Sequence, residues 1–293
     1  MSKLPVFETC DQFYIHDGDC IPHMAEVMPQ HSVDFSVFSP PFPSMYAYTS
    51  EDCDIGNTDT VNAEAELHLG FFYSALQRVL KPGRVALVHV CQIPRMKRTG
   101  GVGMCDFRGL NIRLGERAGL VYEYDWLVPK NPQAQAIRTR SRELQFIGLE
   151  ADRAAQRGAV PDYLIKFRAR GENVKPINTK GQVSRNQWID WAEAAWYGIK
   201  ETNTLNTAKA KGEEDTKHIC PLQLDVIKRA VLLFSDPGEI VFSPFAGIGS
   251  EGYVSLQHER RFYGCEIKPE YHKEASKNLR GVVENRVAQA SLF

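Results

Sequence analysis

Glu239-Ile240-Val241-Phe242-Ser243-Pro244-Phe245-Ala246-Gly247-Ile248-Gly249-Ser250 runs from an apolar stretch through a glycine turn into a helical pattern. The first four residues read as a buried strand, and the pattern from Ser250 to His258 as the helix that follows the turn. Strand, glycine-rich loop and helix in that order form the nucleotide-binding plan of a doubly wound α/β sheet. The loop carries a single glycine pair with no third glycine, so nothing in it calls for a pyrophosphate. A cofactor with adenosine but no phosphate fits it better.

A second apolar run stands near the other end of the chain. Val33-Asp34-Phe35-Ser36-Val37-Phe38 predicts a buried strand that stops at Ser39-Pro40-Pro41-Phe42, because proline cannot donate to a strand ladder. Residues 43–62 have no apolar period and carry Tyr46 and Tyr48, which predicts a loop able to close over a site at this turn. Either motif alone also fits a plain turn. Glu266 closes the predicted strand Arg261 to Glu266, roughly twenty residues beyond Gly247, where a nucleotide-binding sheet presents an acid to ribose hydroxyls. A solvated strand-end acid is the alternative for the same position.

The 293 residues allow one large α/β domain with an insert, or two modest domains. With 43% apolar and 24% charged residues the composition excludes disordered and fibrous classes. Seven scattered cysteines, odd in number and never closely paired, read as reduced thiols without zinc or disulfides. No stretch approaches a membrane span or a leader peptide, so a cytoplasmic location is the expectation.

The net charge of −1 conceals a local excess of base. Between residues 134 and 170 stand Arg138, Arg140, Arg142, Arg153, Arg157, Lys166, Arg168 and Arg170 against four acids. As a cluster they read as a phosphate-contacting surface, although any single arginine also fits a solvated face. Trp188, Trp191 and Trp196 read as packing between an insert and the core. His89, near the end of the predicted strand Arg84 to Val90, reads as a satisfied structural histidine.

Val241 to Ser250 resembles the S-adenosylmethionine-binding motif of DNA amino-methyltransferases, and Ser39-Pro40-Pro41-Phe42 resembles their catalytic tetrapeptide. The catalytic motif precedes the cofactor motif, as in the permuted β arrangement of that family. Gly18-Asp19 looks like its acidic position near the cofactor adenine, and Leu76 to Gly83 like its helix and turn after the catalytic motif. His218-Ile219-Cys220-Pro221-Leu222 looks like the segment before the helix that leads into the cofactor strand, with Cys220 where many relatives carry lysine.

The resemblance implies a Rossmann-like methyltransferase sheet divided into a catalytic half (1–133), a target-recognition insert (134–216) and a cofactor half (217–293). It implies catalysis by Ser39, Pro40, Pro41 and Phe42, and cofactor binding by Asp19, His218, Pro221, Phe245, Ala246, Gly247, Gly249, Ser250 and Glu266. Duplex DNA would meet Arg138, Arg140, Arg142, Arg168 and Arg170, without a metal. A homodimer and a separate cognate restriction enzyme are further expectations of the same resemblance, with an orphan modifier as the alternative to the latter.

The residues suit this chemistry. An exocyclic amine on adenine or cytosine is a poor nucleophile, since its lone pair is delocalised into the ring. A site must accept hydrogen bonds from the NH₂ group and align its nitrogen with the methyl carbon. The Ser39 hydroxyl and the Pro40 carbonyl can accept, and Phe42 offers a face for stacking. Cytosine C5 chemistry is disfavoured, because Cys220-Pro221 lies far from the tetrapeptide. A serine at its head resembles cytosine-N4 enzymes, whereas the commoner product of the permuted group, adenine N6, is the target favoured here. A binding module with a vestigial cofactor fold, and methylation of RNA or protein, are the other readings.

Overall fold

The computed structural model describes residues 12–43, 55, 63–95, 103–139, 154, 156–178, 180–206 and 221–290. The chain begins with β1 (Phe13–Asp17), a helical turn α1 (Cys20–Pro22) that runs into a π-helical turn (His23–Val27), and β2 (Val33–Phe38). Then come α2 (Ala63–Val79), β3 (Leu80–Cys91), the two-residue strands β4 (Ile93–Pro94) and β5 (Met104–Cys105), α3 (Phe107–Arg117) and β6 (Val121–Val128). The remainder is α4 (Pro132–Thr139), β7 (Asp162–Arg168), α5 (Arg185–Trp191), α6 (Leu224–Phe234), β8 (Ile240–Ser243), α7 (Ser250–Gln257), β9 (Arg261–Glu266) and α8 (Pro269–Ala290).

Seven strands form one sheet in the order β1-β9-β8-β2-β3-β7-β6. The pairs from β1 to β3 are parallel, and β7 runs antiparallel between β3 and β6. All six residues of β2 are buried, as a central strand covered on both faces requires. Alternation divides its apolar side chains: Phe38 joins Ala86 and Val88 under α2 and α3, whereas Phe35 and Val37 join Val85 and Leu87 under α6. α7 and α8 pack on Phe262 and Ile15 at the other end of the sheet. The fold is thus the doubly wound α/β sheet that the alternating pattern predicts.

Buried polar groups pin the register where the strands begin. The Asp34 carboxylate accepts the Ile240 backbone N–H at 3.0 Å, and Arg84 donates to the Asp34 carbonyl at 2.7 Å while pairing with Glu239. At the opposite end the register Phe35 to Val241 and Ser36 to Phe242 delivers Ser39 and the glycine loop side by side. From β8 the chain proceeds through α7 to β9 on one side, and from β2 through α2 to β3 on the other. This divergence is the topological switch point at which open α/β sheets bind ligands.

Two expectations need correction. Asp162–Arg168 lies within the expected insert 134–216, yet it is a core strand paired along its length with both β3 and β6. Leu164, Ile165 and Phe167 are fully buried in it, while Lys166 and Arg168 pair with Glu123 of β6 on a more open face. The connection that leaves the sheet at the cleft end is therefore shorter, running from Pro129 to Pro161. Residues beyond β7 return along the sheet, where Trp196 donates its backbone N–H to Leu127 and is itself fully buried. Trp191 is buried as well, in keeping with a packing role, whereas Trp188 is exposed. Among the described residues no helix is long and apolar enough to cross a membrane.

Candidate active site

A cleft open to solvent lies over the carboxyl ends of β1, β9, β8 and β2. It is lined by Ser39, Pro40, Pro41 and Phe42 from one motif and by Phe245, Ala246, Gly247 and Ser250 from the other. Asp19, Pro221 and Glu266 also line it, so most of the predicted residues share one cavity. His218 lies outside the described residues, as does nearly all of the 43–62 loop with Tyr46 and Tyr48.

Local chemistry explains the shape of each wall. Asp19 caps α1, its Oδ1 accepting the Ile21 N–H at 2.8 Å. Glu266 accepts the Gly247 N–H at 2.7 Å through Oε2 and the Lys268 N–H at 2.9 Å through Oε1, so its carboxylate ties the glycine loop to the end of β9. Gly247 has φ +52°, and a Cβ there would meet no atom within 4 Å. Its open side is where a ligand can approach the backbone closely.

Gly249 does not line the cleft, contrary to expectation. A Cβ on it would come within 2.7 Å of Leu279 on α8, at a φ of +87°. Its glycine serves the turn and the close approach of α8.

Two polar side chains of the first turn of α7 line the cleft. Ser250 Oγ is buried without a hydrogen-bond partner among the described residues. Glu251, which the motif reading missed, lines the cleft at 4% exposure. Burial pushes its carboxyl up to about 8, its own backbone N–H opposing the shift and Glu266 adding to it. An acid directly after a glycine loop was the available signal.

Across the cleft, Phe42 packs against Phe107 and Phe245 against Phe72, with ring centroids 5.4 and 5.0 Å apart. Ser39 Oγ donates to the His89 carbonyl at 3.1 Å, which occupies its proton and leaves lone pairs to accept from a ligand N–H. His89 Nε2 lies 2.8 Å from Asp162 Oδ2. That histidine is satisfied, as expected, but its partner comes from the strand that sequence reasoning assigned to the insert.

The basic residues divide. Val128 and Asp162 are paired and stand at the same end of the sheet as Cys91, so the β6–β7 connection opens beside the cleft. Arg138 belongs to its helix α4, whereas Arg140 and Arg142 lie outside the described residues. Arg168 instead pairs with Val85 at the start of β3, about 20 Å along the strand from the cleft end. It bonds Glu123, and Arg170 donates to the Gly119 carbonyl at 3.0 Å. Both lie toward the opposite end of these strands, which removes them from the surface that the cleft presents.

The fold and the cleft together define a nucleotide-type α/β protein with a polar turn facing a glycine loop at the switch point. A family model described as DNA methylase, N6_N4_Mtase, matches residues 33–277, and the chain belongs to that family. The DNA adenine methyltransferase YhdJ of Escherichia coli K12 is 43% identical over 54 residues, 18% of this chain and 18% of that protein. The stretches shared with the first curated relatives span only about a fifth to a quarter of their length. Among solved structures, the putative DNA modification methylase TTHA0409 of Thermus thermophilus, complexed with S-adenosyl-L-methionine, has a TM-score of 0.68 at 19% identity, covering 92% of this chain and 94% of that one. The cytosine-N4-specific PvuII DNA methyltransferase has a TM-score of 0.66 at 15% identity, covering 93% and 90%. At these identities the likeness concerns the fold.

Proposed function

We propose that this chain transfers a methyl group from S-adenosylmethionine to the exocyclic amine of a base flipped out of duplex DNA, with adenine N6 as the favoured target. The observation that carries the reading is the convergence of Ser39 and the Gly247 loop in one cleft at the β2–β8 switch point. S-adenosylmethionine supplies an activated methyl on a sulfonium when it is bound. The cleft suits it: Gly247 leaves room for close approach, Ser250 Oγ has no hydrogen-bond partner among the described residues, and the Glu251 carboxyl, once ionised, offers a countercharge for a cationic ligand. Asp19, Pro221, Phe245, Ala246 and Glu266 complete the expected cofactor contacts, with His218 added from the sequence.

Ser39 Oγ then accepts from the target NH₂ group, and Phe42 offers the stacking face. Flipping costs a few kcal/mol, which contacts outside the duplex must offset. Those contacts are assigned to Arg138, Arg140 and Arg142 on the β6–β7 connection. Adenine is supported by the local identity to YhdJ. Cytosine N4 is the second reading, favoured by the serine that heads the tetrapeptide.

Incubating the protein with duplex DNA and S-adenosylmethionine, followed by digestion to nucleosides and mass spectrometry, tests the proposal. N6-methyladenine is the expected product. N4-methylcytosine alone would move the target to the second reading, and transfer to RNA or protein in place of duplex DNA would reject the substrate. A homodimer, and service as an orphan modifier or beside a restriction enzyme, belong to the same proposal.

A further inference from the structure

A buried line of polar side chains runs behind Ser39, and the transfer as described so far does not use it. Ser39 Oγ lies 3.3 Å from His89 Nδ1, His89 Nε2 lies 2.8 Å from Asp162 Oδ2, and the same oxygen meets Lys130 Nζ at 2.5 Å. The side chains of Lys130, Asp162 and His89 are 5%, 10% and 11% exposed. Lysine is almost never buried to this degree unless paired, and desolvating an ion pair costs several kcal/mol that its attraction often fails to return. A stabilising role alone therefore explains this arrangement poorly.

The position is as informative as the burial. Lys130 stands two residues beyond β6 and Asp162 opens β7, so the pair joins both ends of the connection that carries Arg138, Arg140 and Arg142. Nε2 faces a carboxylate and so carries the ring proton, which leaves Nδ1 in the neutral imidazole free to accept from Ser39 once the hydroxyl turns to it from the His89 carbonyl at 3.1 Å.

We propose that His89 takes up, through the Ser39 hydroxyl, the proton that the target amine must lose, while Asp162 and Lys130 position the imidazole. This rests on the amine-methylation reading above. The amine nitrogen uses its lone pair to bond the transferred methyl, whose former bonding pair stays on the donor's sulfur. Nitrogen is left with a positive charge and a surplus proton. That proton passes to Ser39 Oγ as the hydroxyl proton moves to His89 Nδ1. Ser39 ends as it began, the methylated amine is neutral, and the new imidazolium faces the Asp162 carboxylate. Nδ1 returns its proton to water once the product leaves.

Asp162 meets His89 directly, and Lys130 is linked to it through the same carboxylate oxygen. Burial raises the Asp162 carboxyl, but His89 and Lys130 pull harder the other way, so it sits below its ordinary value and stays charged. An anion held there suits an imidazolium that forms transiently.

The test compares the pH dependence of kcat in the wild type, His89→Gln and Asp162→Asn. Calorimetric binding of S-adenosylmethionine and ¹⁵N imidazole spectra of the ligand-free protein accompany it. In the wild type kcat should fall toward acid pH, since a protonated ring cannot accept. His89→Gln should abolish that limb and lower kcat by about 10²-fold, with KM and cofactor affinity changed less than about threefold. Asp162→Asn should move the limb to lower pH and abolish the Nε2–H signature of the neutral ring.

A limb that persists unchanged in His89→Gln, or a wild-type ring protonated on Nδ1 when neutral, overturns the relay. If His89→Gln does not fold, the shift of the limb in Asp162→Asn decides, and its absence overturns the proposal equally. A wild type that methylates no amine at all would reject the underlying function. A methylating wild type with a pH profile indifferent to His89 rejects only the relay.

Discussion

The Glu266 carboxylate accepts the backbone N–H of Gly247 across 2.7 Å, joining the end of β9 to the loop that follows β8. One acid therefore sets the shape of the glycine loop and stands in the cleft. Replacing it with alanine should release both amides it holds. The expected result is a loss of about 2 kcal/mol in stability and a fall of tenfold or more in S-adenosylmethionine affinity. Urea denaturation beside titration calorimetry reads both, and an unchanged affinity would confine Glu266 to the fold.

The two glycines of the loop should separate binding from folding. Gly247→Ala adds a methyl where no atom lies within 4 Å, at a left-handed φ of +52° that costs roughly 1–2 kcal/mol. Its main effect should be weaker cofactor binding. Gly249→Ala places the methyl 2.7 Å from Leu279 and should destabilise the protein more, through α8. Equal melting temperatures for the two variants would contradict the assignment.

Glu251 should make stability fall with rising pH. Its carboxyl keeps a proton in the folded chain up to about 8, from a usual value of 4.5. Between those values the folded state binds more protons than the unfolded one, so stability declines across that window and the slope vanishes above it. Glu251→Gln should remove a decline on the order of a few kcal/mol between about pH 5 and pH 8, read by denaturation at both values. A cation bound in the cleft would favour the ionised form, so S-adenosylmethionine should displace a proton near neutral pH. Calorimetry in buffers of different ionisation heats detects it.

Strands dominated by apolar residues were legible from residue type alone. Val33 to Phe38 and Ile240 to Phe242 are buried on both faces, so their period needs no partner to be read. β7 was hidden because a count of basic residues took Lys166 and Arg168 for part of a charged surface. In the fold they alternate with the buried Ile165 and Phe167, and Glu123 of a neighbouring strand neutralises them. The His89 to Asp162 contact joins residues 73 apart and depends on that same strand, so no local pattern announces it. The two glycines of the loop look alike in the sequence, since only the packing of α8 on Gly249 distinguishes it from Gly247, which lines the cleft.

The arginines offer an internal control. Charge reversal of Arg138, Arg140 and Arg142 should weaken duplex binding and make the slope of log K against log salt shallower by roughly 0.9 for each phosphate left unneutralised. Arg168→Ala and Arg170→Ala, at the opposite end of the strands from the cleft, should leave the slope unchanged. Fluorescence anisotropy with a labelled duplex across a salt series measures it. A response to Arg168 or Arg170 matching that of the first three would place the DNA on the wrong edge.

Ser39→Ala tests the acceptor directly. The hydroxyl donates to the His89 carbonyl and sits in the cleft that Phe42 also lines. Losing it should cost the fold only about 1 kcal/mol and leave S-adenosylmethionine affinity nearly intact. The chemical step should suffer far more, by about 10²-fold, because the NH₂ group loses an oriented acceptor when its nitrogen begins to bond. Single-turnover methylation at saturating DNA and cofactor isolates that step. A wild-type rate in Ser39→Ala would leave the Pro40 carbonyl as the acceptor that matters and remove the serine from the chemistry.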